Sequence, residues 1–321
     1  MEAYLGIDVG SVTTKLAVVG KDGELITHIY LLTQGKPLQM VQQGLKQIKQ
    51  QLPKQVNICG VATTGSARYL AGIIVGADLV KNEITSQAVA TLHHIPEVQT
   101  VIEIGGQDSK IIIIRDGIVI DFGMNTVCAA GTGSFLDHQA QRLNMSIEDF
   151  AQRALDSNTP ARIAGRCTVF AESDMIHKQQ MGHRTEDILY GLCQALVRNY
   201  LNNVGLGKDI RPPVVFQGGV AFNQAIVEAL REELNTEVIV PPHHELMGAI
   251  GAALLAHEEM VSSNNGSKFK GFEVSEVMYH ISSFECKACP NLCEIAQISH
   301  NGHVLARWGG RCDLWERSPS N

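Results

Sequence analysis

Two stretches of the chain repeat one pattern, in which a strand is followed by a glycine-rich turn and a second strand. The first reads GIDVGSVTTK (Gly6–Lys15) and the second reads IEIGGQDSK (Ile102–Lys110). In each stretch an acidic residue, Asp8 or Glu103, follows apolar residues with high β propensity, and glycines follow the acid. Because each half of the chain opens in this way, we expect an α/β fold with two similar lobes.

The rest of the sequence suggests how these lobes are bounded. Apolar residues at helical spacing in 37–52 and in later stretches predict helices between the strands. We expect a first lobe over residues 1–95 and a second over 96–260, whose closing helix returns to the first lobe. The serine-, asparagine- and glycine-rich stretch 261–270 predicts a linker, and 271–321 is a small cysteine-rich tail.

Composition excludes several classes of protein. The 321-residue chain has a net charge of −7 and no basic stripe, which argues against a nucleic-acid partner. Its apolar runs are too short to span a bilayer, and its N-terminal residues lack the charge and apolar pattern of a secretory signal. These features predict a cytoplasmic protein with no membrane partner.

The two glycine turns contain the groups that bind phosphate and magnesium. Backbone N–H groups, hydroxyls and lysines can bind phosphate oxygens, and a carboxylate can face hydrated Mg²⁺. The first turn offers Asp8, Gly10, Ser11, Thr13, Thr14 and Lys15, and the second offers Glu103, Gly105, Gly106, Gln107, Asp108, Ser109 and Lys110. Each turn alone fits an ordinary hairpin, but the two together, with FQGGVAFN (Phe216–Asn223) downstream, favour a polyphosphate site.

Cys128 and Cys167 each directly precede a predicted helix. Helix N-termini stabilise anionic ligands, and a 4Fe-4S cluster takes four thiolates, which two copies of the chain related by a two-fold axis would supply. The alternatives are two buried cysteines, or a zinc site that needs further ligands such as His138 and His177. Cys59 and Cys193 lie in apolar stretches and are predicted to be core residues.

The remaining four cysteines lie in the tail. Cys286, Cys289 and Cys293 form a C-x2-C-x3-C motif, and Cys312 follows. This spacing is typical of zinc or Fe–S sites. The alternative is a hairpin with free thiols.

Residues 3 to 258 resemble the actin, hexokinase and heat-shock chaperone ATPase superfamily. Asp8–Lys15 resembles its first phosphate loop, Glu103–Lys110 its second and Phe216–Asn223 its adenosine loop. Within the superfamily, IGGQDSK, CAAGTGSFLDHQAQRL and RCTVFAESDMI resemble ATP-dependent activators of 2-hydroxyacyl-CoA dehydratases, the BadF/BadG/BcrA/BcrD ATPase family. Besides the residues of the two turns, the resemblance implies nucleotide contacts from Gly131, Thr132, Gly133, Gly218, Gly219, Val220 and Asn223.

The resemblance also implies an activity. It implies a homodimer in which Cys128 and Cys167 of both chains hold one 4Fe-4S cluster, and which couples ATP hydrolysis to the donation of one low-potential electron. The acceptor would be an Fe–S dehydratase or a benzoyl-CoA-type reductase, and the reductant a ferredoxin or flavodoxin.

The resemblance implies roles for the acidic residues as well. Asp8, Glu103 and Asp108 would organise Mg²⁺, and Gln107 or Glu103 would position water. Glu103 stands where the superfamily commonly has aspartate. The alternatives are a small-molecule kinase of the same fold and a non-redox ATP-binding switch or scaffold.

Overall fold

The computed structural model describes residues 1–125, 128–165, 167–263, 266–312 and 314–315. The chain divides into two compact units, one formed by Met1–Ser86 with Gly248–Asn321 and the other by Gln87–Met247. This division falls before the boundary predicted at residue 95, and it assigns the tail to the first unit.

The first unit is built on a five-stranded sheet. Its elements are β1 (Glu2–Val9), β2 (Thr13–Gly20), β3 (Leu25–Leu32), α1 (Pro37–Gln51), β4 (Asn57–Thr64), α2 (Arg68–Val75) and β5 (Leu79–Val80). The helix α3 (Glu83–His94) follows and crosses the boundary between the units. The strand order is β3-β2-β1-β4-β5, in which β1 pairs antiparallel with β2 and parallel with β4.

The second unit repeats this arrangement. Its elements are β6 (Thr100–Ile104), β7 (Ser109–Arg115), β8 (Ile118–Asn125), α4 (Gly133–Arg142), α5 (Ile147–Ala154), α6 (Thr168–Gln180), α7 (Thr185–Asn203), β9 (Val214–Gln217), α8 (Gln224–Leu234) and β10 (Val238–Ile239). Read as β8-β7-β6-β9-β10, the sheet has the same order and the same mixture of antiparallel and parallel pairs as the first. The predicted duplication of an α/β unit is confirmed.

The central strand of each sheet is buried along nearly its whole length. The strand β1 is buried from Ala3 to Val9, and β6 is buried at all its residues. Strands covered on both faces have continuous apolar runs rather than alternating ones, which is the pattern that the sequence shows. In the first unit the helix α9 (Met247–Ser262) packs closely on β1 at Gly6.

The stretch predicted as a linker is packed on the first unit. Ser267 Oγ and Lys268 N donate hydrogen bonds to the Asp78 carboxylate, at 2.7 and 2.6 Å. Lys270 N donates to the carbonyl of Val75 at 2.9 Å. The side chain of Asp78 therefore fixes the described part of this stretch, a contact between distant residues that composition does not reveal.

The tail forms a second, smaller sheet. After a 3-10 helix at Phe272–Glu276 come β11 (His280–Glu285), β12 (Glu294–His300) and β13 (His303–Trp308), in the order β11-β12-β13. Val274 and Ile298 belong to the same buried hydrophobic cluster as β1 and α1. The tail thus extends the core of the first unit.

No helix in the described ranges combines the length and the apolarity that crossing a membrane requires.

The hydrogen bonds of Asp187, in the first turn of α7, predict that the protein loses stability in acid. Its carboxylate accepts hydrogen bonds from Thr159 N at 3.0 Å, Ser157 Oγ at 2.8 Å and Asn158 N at 3.1 Å. These bonds, that of Thr159 foremost, lower the pKa of Asp187. A lowered pKa in the folded state stabilises the protein above the unfolded-state pKa of about 4, and this stabilisation is lost as pH falls through the folded-state value.

We therefore expect Asp187→Asn to show a smaller fall in unfolding free energy than the parent as pH is lowered below about 4. Urea titrations at a series of pH values measure this difference. Asp156→Asn, at an exposed carboxylate nearby, serves as the control and should keep the parental dependence. An unchanged pH profile in Asp187→Asn would refute the assignment.

Candidate nucleotide and cysteine sites

Each unit holds a nearly buried acid beside a lysine on the adjacent strand. Asp8 on β1 lies opposite Lys15 on β2, and the Lys15 Nζ to Asp8 Oδ2 distance is 3.1 Å. Glu103 on β6 lies opposite Lys110 on β7, with Nζ 2.9 Å from Oε2. Both acids are 6% exposed. The two turns that the sequence predicted to be similar therefore share the same strand register and the same charge pair.

The second turn carries an additional carboxylate. Lys110 Nζ lies 3.0 Å from Asp108 Oδ1 as well as 2.9 Å from Glu103 Oε2, so one ammonium faces two carboxylates. The three groups together have a net charge of −1. Carboxylate oxygens are the ligands that Mg²⁺ prefers, so the donor set fits this ion. Gln107, at the tip of the turn, is exposed.

Glycines lie directly against both acids. Gly65 follows β4 with a φ of +87°, and a Cβ there would lie 2.5 Å from Asp8 Oδ1. Gly218 follows β9 with a φ of +93°, and a Cβ there would lie 2.5 Å from the Ile104 carbonyl oxygen and 3.1 Å from Glu103 Oε1. Glycine is required at both positions because of the left-handed backbone and the close approach. Gly65 was not among the site residues predicted from the sequence, although it directly follows β4 as Gly218 directly follows β9.

Buried polar atoms without partners lie next to the acids. Within the described ranges these include Thr64 Oγ1 and Ser109 Oγ. Thr64 is the register partner of Asp8, and Ser109 that of Ile104, the residue after Glu103. A buried hydroxyl without a partner is costly, so each marks a place where a polar ligand would compensate.

Other predicted residues of the first turn have structural contacts. Gly10 N donates to the carbonyl of Thr13 at 2.9 Å and closes the turn, while Ser11 is exposed. Thr14 is fully buried, and its Oγ1 lies 2.9 Å from Thr33 Oγ1. The Thr14 hydroxyl is thus already hydrogen-bonded inside the unit, and its contact with phosphate stays a prediction.

The predicted adenosine loop is a short 3-10 helix, Gly219–Phe222, that leads into α8. Asn223 caps the N-terminus of α8, since its Oδ1 accepts a hydrogen bond from Ala225 N at 3.0 Å. Gly218 is fixed by His244, whose backbone carbonyl accepts from Gly218 N at 2.8 Å.

Neither His244 nor Phe222 was among the site residues predicted from the sequence. Phe222 is 62% exposed, and its ring packs edge-on against the His244 ring at a centroid distance of 4.4 Å. An exposed aromatic ring beside the predicted adenosine loop is suited to stacking on a planar base. The pair could not be found from the sequence because the two residues are far apart in it.

Cys128 is tied to the second glycine turn. It is half-buried, and Asn125 at the end of β8 accepts from Cys128 N at 3.1 Å and donates to its carbonyl at 2.8 Å. A 3-10 turn, Ala129–Gly131, follows, and then α4 begins at Gly133. Gly133 N donates to the Gly105 carbonyl at 2.8 Å and Ser134 N to the Gly106 carbonyl at 2.8 Å. The start of α4, the helix after Cys128, is therefore hydrogen-bonded to the second glycine turn, which also contains Glu103.

Cys167 is half-buried and directly precedes α6, whose Ala171 N donates to the Cys167 carbonyl at 2.9 Å. Asn199 of α7 lies beside both cysteine segments. Its Nδ2 donates to the Gly165 carbonyl at 2.6 Å, and a Cβ on Gly131 would lie 3.1 Å from its Oδ1. The two segments thus share one support on α7.

Two further contacts connect the cysteine segments. Cys167 and Ala130 line the same small crevice. An ion pair between Arg142 and Glu172 joins α4 to α6. The structure therefore brings together the two helices that follow the cysteines, which the sequence predicted separately.

The other cysteines have different environments. Cys193 is fully buried in α7, where burial raises the pKa of its thiol, and the prediction of a core residue is confirmed. Cys59 is a correction, because it is only half-buried on β4 and hydrogen-bonds with Asn57 rather than packing in the core. In the part of the chain that the structure describes, no three His, Cys, Asp or Glu side chains converge to hold a metal ion.

A model of the BadF/BadG/BcrA/BcrD ATPase family matches residues 5–256, which is most of the chain. The chain belongs to this family. The (R)-2-hydroxyglutaryl-CoA dehydratase activating ATPase of Acidaminococcus fermentans is 36% identical over 260 residues, covering 79% of this chain and 97% of that protein.

Solved structures agree with this family membership. The activator of 2-hydroxyisocaproyl-CoA dehydratase from Clostridium difficile with bound ADPNP has a TM-score of 0.72 at 31% identity, covering 82% of this chain and 97% of that one. A ROK family glucokinase from Streptomyces griseus has a TM-score of 0.52 at 13% identity, covering 80% of this chain and 99% of that one, and shares the fold alone. The family match ends before the tail, so β11–β13 lie outside it.

Proposed function

We propose that this member of the BadF/BadG/BcrA/BcrD ATPase family is an ATP-driven one-electron donor. It would act as a homodimer with one bridging 4Fe-4S cluster, held by Cys128 and Cys167 of both chains. Its electron acceptor would be an Fe–S enzyme, either a 2-hydroxyacyl-CoA dehydratase or a benzoyl-CoA-type reductase, and its reductant a ferredoxin or flavodoxin. A cytoplasmic location fits such partners.

The observation that carries the proposal is the hydrogen bonding between the second glycine turn and the helix after Cys128. Gly133 N and Ser134 N each donate at 2.8 Å to the carbonyls of Gly105 and Gly106. A change in the turn on nucleotide binding or hydrolysis would therefore act directly on the start of α4. ATP can drive electron transfer only if it binds two conformations of the protein with different affinity. The contact between the turn and α4 would connect such a change at the nucleotide to the segment that contains Cys128.

The proposed roles of the turn residues follow from their charge and position. Asp8 and Glu103 would face Mg²⁺, since each is a carboxylate at the end of a central strand with a glycine against it. Lys15 and Lys110 would bind phosphate oxygens, and Gly65 and Gly218 would leave room for the nucleotide. Gln107, which is exposed, or Glu103 would position the attacking water.

The cysteines fit half of a cluster site. Two half-buried thiols at helix starts give two thiolates per chain, and an isologous dimer gives the four that a cubane requires. The N–H groups at the start of α6 would offset the negative charge of the Cys167 thiolate, whereas those of Gly133 and Ser134 in α4 already donate to the second glycine turn. When bound, such a cluster supplies a one-electron carrier of low potential.

Two alternatives remain as outcomes of the test. A small-molecule kinase would turn over ATP only with an added acceptor, and would not need the cysteines. A non-redox switch or scaffold would bind ATP without holding iron. The shared support of both cysteine segments on Asn199 favours the cluster over either alternative.

The decisive experiment is anaerobic purification followed by iron and acid-labile sulfide analysis and EPR of the dithionite-reduced protein. We expect about four irons per dimer and a reducible cluster signal. Cys128→Ser and Cys167→Ser should each lose the iron. Cys59→Ser, at another half-buried cysteine of the same chain, is the matched control and should retain it.

Absence of iron in a protein that still binds ATP would reject the electron-donor function and favour the switch. ATP turnover that depends on an added phosphate acceptor and survives Cys128→Ser would favour the kinase.

A further inference from the structure

We infer that the four tail cysteines, Cys286, Cys289, Cys293 and Cys312, form a structural zinc site at one end of the β11–β13 sheet. This site is separate from the proposed nucleotide and cluster sites, and lies outside the family match, which ends at residue 256. The inference does not depend on the proposed function.

The hairpin register places two of the cysteines side by side. Glu285, the last residue of β11, pairs with Glu294, the first residue of β12, so Cys286 and Cys293 are the next pair outward. Cys286 N donates to the Cys293 carbonyl at 2.8 Å. Residues directly opposite on antiparallel strands point to the same face, with Cβ atoms about 5 Å apart. Cys289 lies in the loop that this pair closes.

The fourth cysteine lies at the same end of the sheet. A Cβ on Gly309, directly after β13, would lie 2.7 Å from the Glu294 carbonyl oxygen, so the chain leaves the sheet beside Cys293. Six residues later Trp315 Nε1 donates to Cys286 Sγ at 3.1 Å. Cys312 lies midway between these two anchors, and three residues span at most about 11 Å. The distance of Cys312 from the Cys286–Cys293 pair is therefore limited from both sides.

The thiols do not yet converge, since no three metal-binding side chains in the described ranges meet at one point. Metal binding would require two side chains to turn toward the Cys286–Cys293 pair. Cys289 and Cys312 are the two, and both are exposed, so neither is held by packing. Cys286 is 6% exposed and would form the inner, fixed corner of the site.

The surroundings suit a metal–thiolate centre. Zinc with four thiolates carries two negative charges. Trp315 already donates to one sulfur, and the Arg307 guanidinium lies 5.1 Å from the Trp315 ring. Lys287 and Arg311 are sequence neighbours of Cys286 and Cys312. Donors and cations of this kind around the ligands stabilise such a centre.

The β11–β13 sheet has little core of its own, and the placement of its cysteines favours zinc. Ile295 and Ile298 are its only fully buried strand residues in the described ranges, and Ile298 belongs to the core of the first unit. Small sheets with so little core commonly gain stability from a metal. Cysteines in a hairpin loop and at a strand end are typical of zinc ribbons, in which tetrahedral zinc binds four thiolates.

The test is metal analysis of the 321-residue chain by inductively coupled plasma mass spectrometry. We expect about one zinc per chain in the parent, falling below about 0.2 in Cys289→Ser and in Cys312→Ser. Both replaced residues are exposed, so these variants should fold, and circular dichroism checks this. Cys59→Ser is the matched control and should keep its zinc. Titration with Co²⁺ should give the intense visible absorption of a tetrahedral thiolate site in the parent and not in the two variants.

Two results would overturn the inference. The first is a parent protein that holds no zinc and gives no thiolate–cobalt absorption. The second is iron with labile sulfide beyond four per dimer that is lost in Cys289→Ser, which would assign an Fe–S cluster to the tail. Zinc retained in Cys128→Ser would show that the tail site stands even if the proposed cluster fails.

Discussion

Asp8→Asn is expected to lower the rate of Mg²⁺-dependent ATP hydrolysis about 10²–10³-fold, as loss of one preorganised electrostatic contact typically does. Asn keeps the size of the side chain but removes its charge. Asp8 is 6% exposed, and Lys15 Nζ lies 3.1 Å from its Oδ2, so the carboxylate has a fixed position from which it would hold the proposed Mg²⁺. The Mg²⁺ concentration that gives half-maximal rate should rise, while ADP binding measured without Mg²⁺ should change little.

Glu103→Gln tests the same idea in the second unit, where the acid lies 2.9 Å from Lys110. Matched controls are Asp22→Asn in the β2–β3 turn and Asp121→Asn on β8, both at exposed carboxylates. The steady-state rate of phosphate release is measured for all four variants. A loss of less than about threefold in Asp8→Asn and Glu103→Gln would show that these acids do not serve the metal.

The second large effect concerns folding. Gly6→Ala is expected to destabilise the protein by at least ~3 kcal/mol, the upper part of the range for overpacked cores. A Cβ on Gly6 would lie 1.8 Å from the Ala249 carbonyl oxygen and 2.5 Å from Ala253 N. These atoms belong to the backbone of α9, so a rotamer change cannot relieve the clash and β1 must separate from the helix. Such a loss is a large share of the total stability of a typical domain.

Urea unfolding followed by circular dichroism measures this effect. Gly266→Ala is the matched control, because among the described residues, its chain neighbours aside, no atom lies within 4 Å of a Cβ at that position, and its stability should stay close to that of the parent. If Gly6→Ala unfolded at the same urea concentration as the parent, the close packing of α9 on β1 would be wrong.

The sequence determined the repeated hairpins and the positions of their acids. Strand, turn and acid are local features, so Asp8 and Glu103 could be placed at strand ends from apolar runs and glycines alone. The same reasoning placed Cys167 directly before a helix, as the structure has it, whereas a 3-10 turn separates Cys128 from α4. Family motifs over the same residues then indicated the fold. All of these features depend on neighbours within about ten residues.

The tertiary structure alone decided which distant residues meet. Gly65 lies against Asp8, and His244 fixes Gly218, because separate strands and loops end at the same edge of a sheet. The hydrogen bonds from the start of α4 to Gly105 and Gly106 join two motifs that the sequence presents separately. The tail likewise packs into the first unit through Ile298 instead of standing apart. Such contacts depend on how sheets and helices pack. The local patterns that specify strands, turns and helix starts do not specify that packing.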